Sequence, residues 1–378
     1  MSQEMDTASQ QLDDSPRTLH YQELLLQGSQ NDDVSDTFHI GQPPLKFDEL
    51  RNRMCLVQQS GGVVENGVVG NWQVPEGDIE SWRSTFTLPG QRNKCEALKN
   101  LNPLIRDSRV AFLEESHSYF VDGKSVPTSV TVFLQRFHEK FDADEAIFKM
   151  RNGKRWPQRL REEFTHANGQ PWTDDEIKAK WSHLGEEASG RGTLMHWHIE
   201  QHFNGQSIGL PLSPEFQMFQ SFEHEYLKPK GIRPLRTEIA LFHCGLGIAG
   251  QADFIGVLPS GGLVIIDWKR AKKIVADNPF QQMRQPMEHL PDCNLTHYQL
   301  QLNMYKYILE SEYGMEVVEL CLCVLHPNQA CYKVIQVPPM NEEINAIVEY
   351  AKDYYDCQSP LPGAWAPFIL NRRLGMLF

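Results

Sequence analysis

GIAGQADFIGVLPSGGLVIIDWKRA, residues 247–271, sets two apolar runs on either side of the turn signal Pro259-Ser260-Gly261-Gly262, the pattern of a β-hairpin. Each run carries one carboxylate, Asp253 or Asp267, where a core-forming strand favours an apolar residue. The second run ends in Asp267-Trp268-Lys269. Strand alternation sends Asp267 and Lys269 to one face and Trp268 to the other, so the two ions share a site while the indole packs.

Outward from the hairpin the pattern alternates. RTEIALFH (236–243) reads as a preceding strand, and TLMHWHIEQHF (193–203) and PEFQMFQSFEHEYL (214–227) read as helices before it. THYQLQLNMYKYILESEY (296–313) predicts a helix with an apolar stripe of Leu300, Met304, Tyr307 and Ile308. Strands VVELCLCVLH (317–326) and YKVIQV (332–337) follow, then a last helix, EEINAIVEYAKDYYD (342–356). Helix, three strands, helix and strand describe a mixed α/β layer whose last crossover is right-handed.

Further upstream, VAFLEE and HSYFVDG read as a hairpin, and Thr128-Ser129 caps a helical segment running to Met150. The interval 153–171 is loop-rich. It carries Lys154, Arg155, Arg159 and Arg161 around Trp156, a cluster suited equally to gripping a phosphate backbone and to forming a solvated face. Thr173 opens another helix with acids in its first turn, and Gly190 and Gly192 separate it from the next. The expected organisation is an acidic tail (1–45), an unassigned region (46–108), an accessory hairpin with helices (109–189), a core (190–357) and a C-terminal tail (358–378) whose Trp365, Phe368, Ile369 and Leu370 dock on the body.

Composition bounds what the chain does. Its 378 residues suffice for a sizeable core, and no run of eighteen apolar residues suggests a membrane span. The N-terminus lacks the features of a secretory or mitochondrial presequence, so the expected compartment is intracellular, nucleus and cytoplasm not distinguished. Eight cysteines (Cys55, Cys95, Cys244, Cys293, Cys321, Cys323, Cys331, Cys357) lack tight metal-ligand spacing and read as reduced, mostly core thiols. Of the net charge of −13, residues 1–50 hold −8, which leaves −5 for the remainder. The global sign therefore does not exclude a polyanionic substrate.

Asp-x-Lys alone says little, and Asp122-Gly123-Lys124 is a decoy in an expected hairpin turn. A buried ion pair would account for Asp267 and Lys269 by themselves. Asp253 on the neighbouring strand changes the balance, because two converging carboxylates repel unless a divalent cation keeps both ionised, and an oxygen-rich site suits Mg²⁺ or Mn²⁺. His196 and Glu200 lie four residues apart on one helical face, as do Gln301 and Tyr305. Each of these, and Glu238 in the first strand, has an ordinary structural reading too.

The ordered set Gly192-x-x-x-His196, Glu238, Asp253, Asp267-x-Lys269 and Gln301-x-x-x-Tyr305 resembles the PD-(D/E)XK nuclease superfamily, in particular its RecB-like and lambda-exonuclease-like branch, over about residues 190–326. It is similar also to the mitochondrial genome maintenance exonucleases and to nucleases of large DNA viruses and mobile elements. Ala252 stands where many members have proline before the first aspartate, and the cysteine set of the iron–sulphur members is absent. The resemblance implies a restriction-endonuclease-like core, with a central mixed sheet of four or five strands flanked by helices. It implies that Asp253 and Asp267 ligate Mg²⁺ or Mn²⁺ near the Trp268 carbonyl, with His196 as a ligand or orienting group and Glu238 as a further member. Lys269 would position or activate the attacking water, supported by Gln301 and Tyr305. Arg191, Arg270, Lys272 and Lys273 would track the phosphate backbone. The expected activity is phosphodiester hydrolysis in DNA, at ends or in single strands, in repair or recombination, with RNA not excluded. Two other readings stand beside it: a structure-specific or nicking endonuclease of a viral or mobile element, and an inactive nucleic-acid-binding module derived from a nuclease.

Overall fold

A computed structural model of the chain describes residues 96–114, 116–206, 208 and 212–358, with backbone alone for 352–358. The expected acidic tail, residues 46–95 and the expected docking of the C-terminal tail lie outside the described residues. In chain order the strands are β1 Val110–Leu113, β2 Ser118–Val121, β3 Lys124–Ser125, β4 Thr128–Ser129, β5 Arg233–His243, β6 Ile248–Val257, β7 Leu263–Lys269, β8 Val317–Val324 and β9 Lys333–Gln336. The helices are α1 Ala97–Leu101, α2 Val130–Leu134, α3 Ala143–Asn152, α4 Trp156–Glu163, α5 Asp174–Phe203, α6 Pro214–Phe222, α7 Asn294–Tyr313 and α8 Asn341–Gln358.

The chain is a mixed α/β fold around one six-stranded sheet, in which β9, β8, β7, β6 and β5 lie side by side. The pairs β5–β6, β6–β7 and β8–β9 are antiparallel, whereas β7–β8 is parallel and is joined through α7. β6 is longer than its pairing with β7, and β4 takes up the vacated edge: Thr128 pairs with Ile248 and Ser129 with Ala249, in parallel. The sheet therefore forks along β6.

Alternation explains how both faces are covered. Ile255, Leu263 and Ile265 share a buried cluster with Phe133 of α2, Leu302 of α7 and Ile347 of α8. Phe254, Val264, Ile266 and Trp268 point the other way, into a cluster with Met195 of α5 and Phe219 and Phe222 of α6. The β6–β7 turn closes as its sequence predicts, with Leu258 N–H donating to Gly262 O at 2.9 Å and Gly261 at a φ of 92°, which only glycine adopts freely. Among the described residues no helix is long and apolar enough to cross a membrane.

The mixed sheet flanked by helices is as expected, with six strands where about four or five were expected, because Thr128–Ser129, read as a helix cap, also forms β4; Ser129 still caps α2 by accepting from Val132 N–H. Three local expectations are corrected. The helix expected across 128–150 is two helices, interrupted after Phe137 and restarted where the Asp142 carboxylate accepts Glu145 N–H at 3.0 Å. Gly190 and Gly192 do not end a helix, and α5 runs for 30 residues, about 45 Å. Each glycine disfavours a helix by roughly 1 kcal/mol, which burial of Ile177, Trp181, Met195 and Ile199 along α5 outweighs. The loop-rich interval contains α4, opened by Pro157 in its first turn, with Arg159 bound to Glu163 at 2.9 Å rather than presented freely.

The decoy behaves as one. Asp122 and Gly123 take φ values of 51° and 75°, the left-handed pair of a tight turn between β2 and β3, and Arg109 holds the Asp122 carboxylate. Cys244, Cys293, Cys321 and Cys323 are buried free thiols, and among the described residues no cysteine joins a group able to hold a metal.

Candidate metal and catalytic site

Strand register builds a row of three carboxylates. β5 pairs Thr237 with Phe254 and Ile239 with Ala252, which brackets Glu238 and Asp253 between paired positions; β6 pairs Phe254 with Ile266, the last pair before Asp253 and Asp267, beyond which the two strands part. Directly opposed residues on antiparallel strands have Cβ atoms only about 5 Å apart. Here the ladder is interrupted on both sides of Asp253. Glu238 has a φ of 46°, a left-handed conformation unusual for a glutamate within a strand. On the other side β6 and β7 part, and Asp253 Oδ2 accepts the Trp268 N–H at 2.8 Å, the bond a β6 carbonyl would otherwise have made.

His196 reaches this row from α5. Its Nε2 lies 2.9 Å from Trp268 O, while Nδ1 stands 3.5 Å from Glu238 Oε1 and 3.6 Å from Asp253 Oδ2. An Nε2–H donated to the carbonyl leaves Nδ1 facing two carboxylates, bearing a proton when the ring is charged and a lone pair for a metal when it is neutral, and such an outer partner fixes the tautomer of a metal-ligating histidine. The ligand atoms of His196, Glu238 and Asp253 all lie within 4.8 Å of one another. Gln251, two residues before Asp253 on the same strand face, donates to Glu238 Oε2 at 2.8 Å and steadies that carboxylate.

Lys269 lies on the α7 side with Asp267. Its Nζ is 2.9 Å from Asp267 Oδ2 and donates to Gln301 Oε1 at 3.3 Å, and Gln301 Nε2 in turn donates to Tyr305 Oη at 3.2 Å. The ammonium also sits 4.5 Å from the centre of the Tyr298 ring, a cation–π contact. Close approach of Tyr305 requires Gly250: a Cβ there would stand 2.8 Å from the Tyr305 ring. The Asp267 ion pair falls short of hydrogen-bond geometry, leaving Oδ2 a buried oxygen that accepts no hydrogen bond.

The electrostatics are those of a site short of positive charge. Burial, with the repulsion of Asp253, pushes Asp267 up to about 6 despite the pull of Lys269. Burial and Glu238 likewise raise Asp253, although His196 opposes them. Burial disfavours a charged imidazole, yet Asp253 and Glu238 overcome it and lift His196 to about 9, so the histidine itself becomes the counter-ion. A divalent cation would relieve all three, and a carboxylate-rich donor set with one imidazole and an unsatisfied oxygen suits Mg²⁺ or Mn²⁺.

Of the residues singled out in the sequence, His196, Glu238 and Asp253 form the metal-capable group, with Trp268 O bonded to His196; Asp267 lies outside that group and pairs with Lys269, from which Gln301 and Tyr305 continue. Glu200 lies one turn beyond His196 on α5 and is not in the metal-binding group. Arg270, partly buried, pairs with the buried Glu215 at 2.7 Å, and Arg191 pairs with Glu187 along α5. Lys272 and Lys273 are exposed just past β7. Sequence reasoning missed Gln251, Tyr298 and Tyr119; burial of the last, on β2, raises its pKa, with the charges of Glu238 and Asp253 adding to the effect. Two of these had a periodic signal, Gln251 by strand alternation from Asp253 and Tyr298 by helical spacing from Gln301.

No protein-family model matches the chain, and no curated protein matches it. Solved structures do share parts of it. A repair endonuclease from Pyrococcus abyssi is 22% identical over 31% of this chain and 39% of its own, with a TM-score of 0.19. The protein SSO0001 is 17% identical over 54% of this chain and 72% of its own, at 0.25. An alkaline exonuclease from Laribacter hongkongensis is 13% identical over 49% of this chain and 85% of its own, at 0.23. The chain thus spans well under half of the first of these, and at such TM-scores the functional reading rests on the residues at the fork.

Proposed function

We propose that the chain is a divalent-metal-dependent nuclease of the PD-(D/E)XK superfamily and its RecB-like branch, hydrolysing phosphodiester bonds in DNA at ends or in single strands. One observation carries the reading: the cross-strand row of Glu238, Asp253 and Asp267 at the sheet fork, with His196 on one side and Lys269 on the other. A solvated surface could hold such a row cheaply. A row that includes the buried Asp267, with Glu238 and Asp253 largely enclosed beside it and, among the described residues, only His196 and Lys269 as positive neighbours, is explained by a cation.

Asp253, Asp267, Glu238 and His196 Nδ1 would hold the ion or ions, and His196 Nε2 would keep its bond to Trp268 O. When bound, Mg²⁺ or Mn²⁺ supplies Lewis acidity and neutralises phosphate charge. Lys269 then has two tasks: its ammonium orients the attacking water and stabilises the charge developing on the phosphorus oxygens in the in-line transition state. Gln301 and the Tyr298 ring fix the Nζ position from α7, and Tyr305 fixes Gln301. Lys272 and Lys273, beyond the end of β7, are placed to meet the phosphate backbone. Arg270 and Arg191 serve as ion-pair partners within the fold.

The test is a substrate panel of linear, nicked, circular, single-stranded DNA and RNA, each with Mg²⁺, Mn²⁺ or chelator. Linear and single-stranded DNA should be degraded with metal, stop with chelator, and resist the Asp267→Ala and Lys269→Ala chains. Full activity in either variant sinks the site assignment, and cleavage of covalently closed circles shifts the reading to an endonuclease.

A further inference from the structure

A second group of metal-capable side chains lies outside the acidic row and is not used by the chemistry above. His138 follows the single 3₁₀ turn Gln135–Phe137 after α2, Asp292 precedes α7, and His297 lies in the first turns of α7. Their ligand atoms all lie within 4.8 Å of one another. His138 and Asp292 are each 5% exposed, and the two imidazole rings stack with centroids 4.4 Å apart. We infer that His138, Asp292 and His297 form a separate metal site that takes one Zn²⁺ ion.

The arrangement around the carboxylate is what a ligand requires. Asp292 Oδ2 is occupied by two donors, Glu139 N–H at 3.2 Å and Gln281 Nε2 at 2.9 Å. That leaves Oδ1 aimed at His297 Nε2, 2.7 Å away. The Asp292 backbone is fixed too, since its carbonyl accepts from the buried Asn278 amide at 2.7 Å and its N–H donates to Gln281 O. His138 Nδ1 lies 3.3 Å from Glu139 O; an N–H donated there leaves Nε2 as the ligand atom. Outer partners of this kind set ligand orientation and tautomer.

The donor set selects the ion. Two imidazole nitrogens and one carboxylate suit zinc, with a water as the fourth ligand, better than Mg²⁺, which favours oxygen. Tetrahedral ligands ~2.1 Å from zinc stand roughly 3.4 Å apart, so a small opening of the His297–Asp292 contact and a small closing of the wider ones would complete the site. The ion would tie the segment after α2 to the start of α7. His297, Gln301 and Tyr305 recur every four residues on one face of α7, so the tie lies one turn from the support of Lys269.

The test uses the full chain carrying His196→Gln and Asp267→Asn, which silences the acidic row, stripped of metal and titrated with Co²⁺ as an optical probe. One Co²⁺ with a tetrahedral ligand-field spectrum, displaced by one equivalent of Zn²⁺, is expected, together with a rise in melting temperature on adding Zn²⁺. Adding His297→Ala should weaken binding at least about tenfold and remove the melting shift. His297 is only partly buried, so this variant should fold; His297→Gln provides a second, milder replacement. Absence of the tetrahedral spectrum, or binding unchanged by both His297 variants, overturns the inference and leaves an ordinary His–Asp ion pair. No readout requires cleavage, so this result and that of the substrate panel stand independently.

Discussion

Asp267→Asn is expected to stabilise the metal-free chain while abolishing its chemistry. Asp267 is 2% exposed, and burial with Asp253 beside it lifts its pKa from 3.8 to about 6 even though Lys269 favours the charged form. For an acid whose folded pKa exceeds its unfolded value, stability is lost as pH rises from 3.8 through 6, and the full penalty applies above that range. At about 1.4 kcal/mol for each tenfold change in proton affinity, the charged carboxylate costs about 3 kcal/mol at pH 8. An amide has the shape of the carboxyl without its charge. The lost attraction to Lys269 is already included, since it acts on the charged form. The expected gain is therefore about 1–3 kcal/mol, read by urea unfolding at pH 8 in chelator, and it should shrink by about half at pH 5, where the parent is already partly protonated. Saturating Mg²⁺ should reverse the order, because it binds the parent and not the variant. A variant less stable than the parent in chelator at pH 8, or a gain indifferent to pH, would refute the electrostatic account of the row.

Gly250→Ala places a Cβ 2.8 Å from the Tyr305 ring and 3.0 Å from Val130, both buried, so it should destabilise by about 1–3 kcal/mol, less in a Tyr305→Ala background when the two are combined in a double-mutant cycle. Gln301→Ala removes an orienting contact and not a reacting group; it should lower kcat by roughly tenfold with KM little changed, with Gln301→Glu, which keeps the acceptor, recovering part of the loss. Arg270→Ala strands the buried Glu215 carboxylate and should cost about 3–5 kcal/mol in unfolding, a loss absent from Lys272→Ala, which should act instead on DNA affinity and its salt dependence.

What the sequence disclosed was what is local. The hairpin follows from alternation and the Pro-Ser-Gly-Gly turn. The start of α5 follows from Thr173 and the acids of its first turn, where the structure closes a capping box with Glu176. What it withheld depended on partners distant in the chain. Arg270 follows Lys269 and resembles a phosphate contact, yet its partner Glu215 is 55 residues away at the start of α6. Thr128 reads as a cap until Ile248 presents an edge for it to pair with. Glycines in α5 read as a break because their propensity is a local quantity, whereas the packing that overrides it joins two separate clusters. The row of acids falls between these cases: alternation selects the faces of Glu238, Asp253 and Asp267, but only the lengths of the β5–β6 and β6–β7 links decide which residue meets which.

That register also explains why so many local misfits occupy one place. A left-handed glutamate, a strand pair that parts early and like charges enclosed side by side are each unfavourable, and strain such as that at Glu238 runs to about 1–3 kcal/mol. Nothing in the surrounding core requires them. Ile255, Ile265 and Leu322 show that the same face packs well with apolar residues one position away. The sheet can bear the misfits because β5, β6 and β7 are paired on both sides of the fork and Trp268 is locked among Phe219, Phe222 and Phe254. Rigid strands thus hold like charges together where free side chains would move apart, and the unmet demand for positive charge is a property of the fold itself. The Asp-x-Lys triplet acquires meaning from that demand. At Asp122 the same triplet sits in a turn, where Arg109 satisfies the carboxylate and nothing is left for a cation to do.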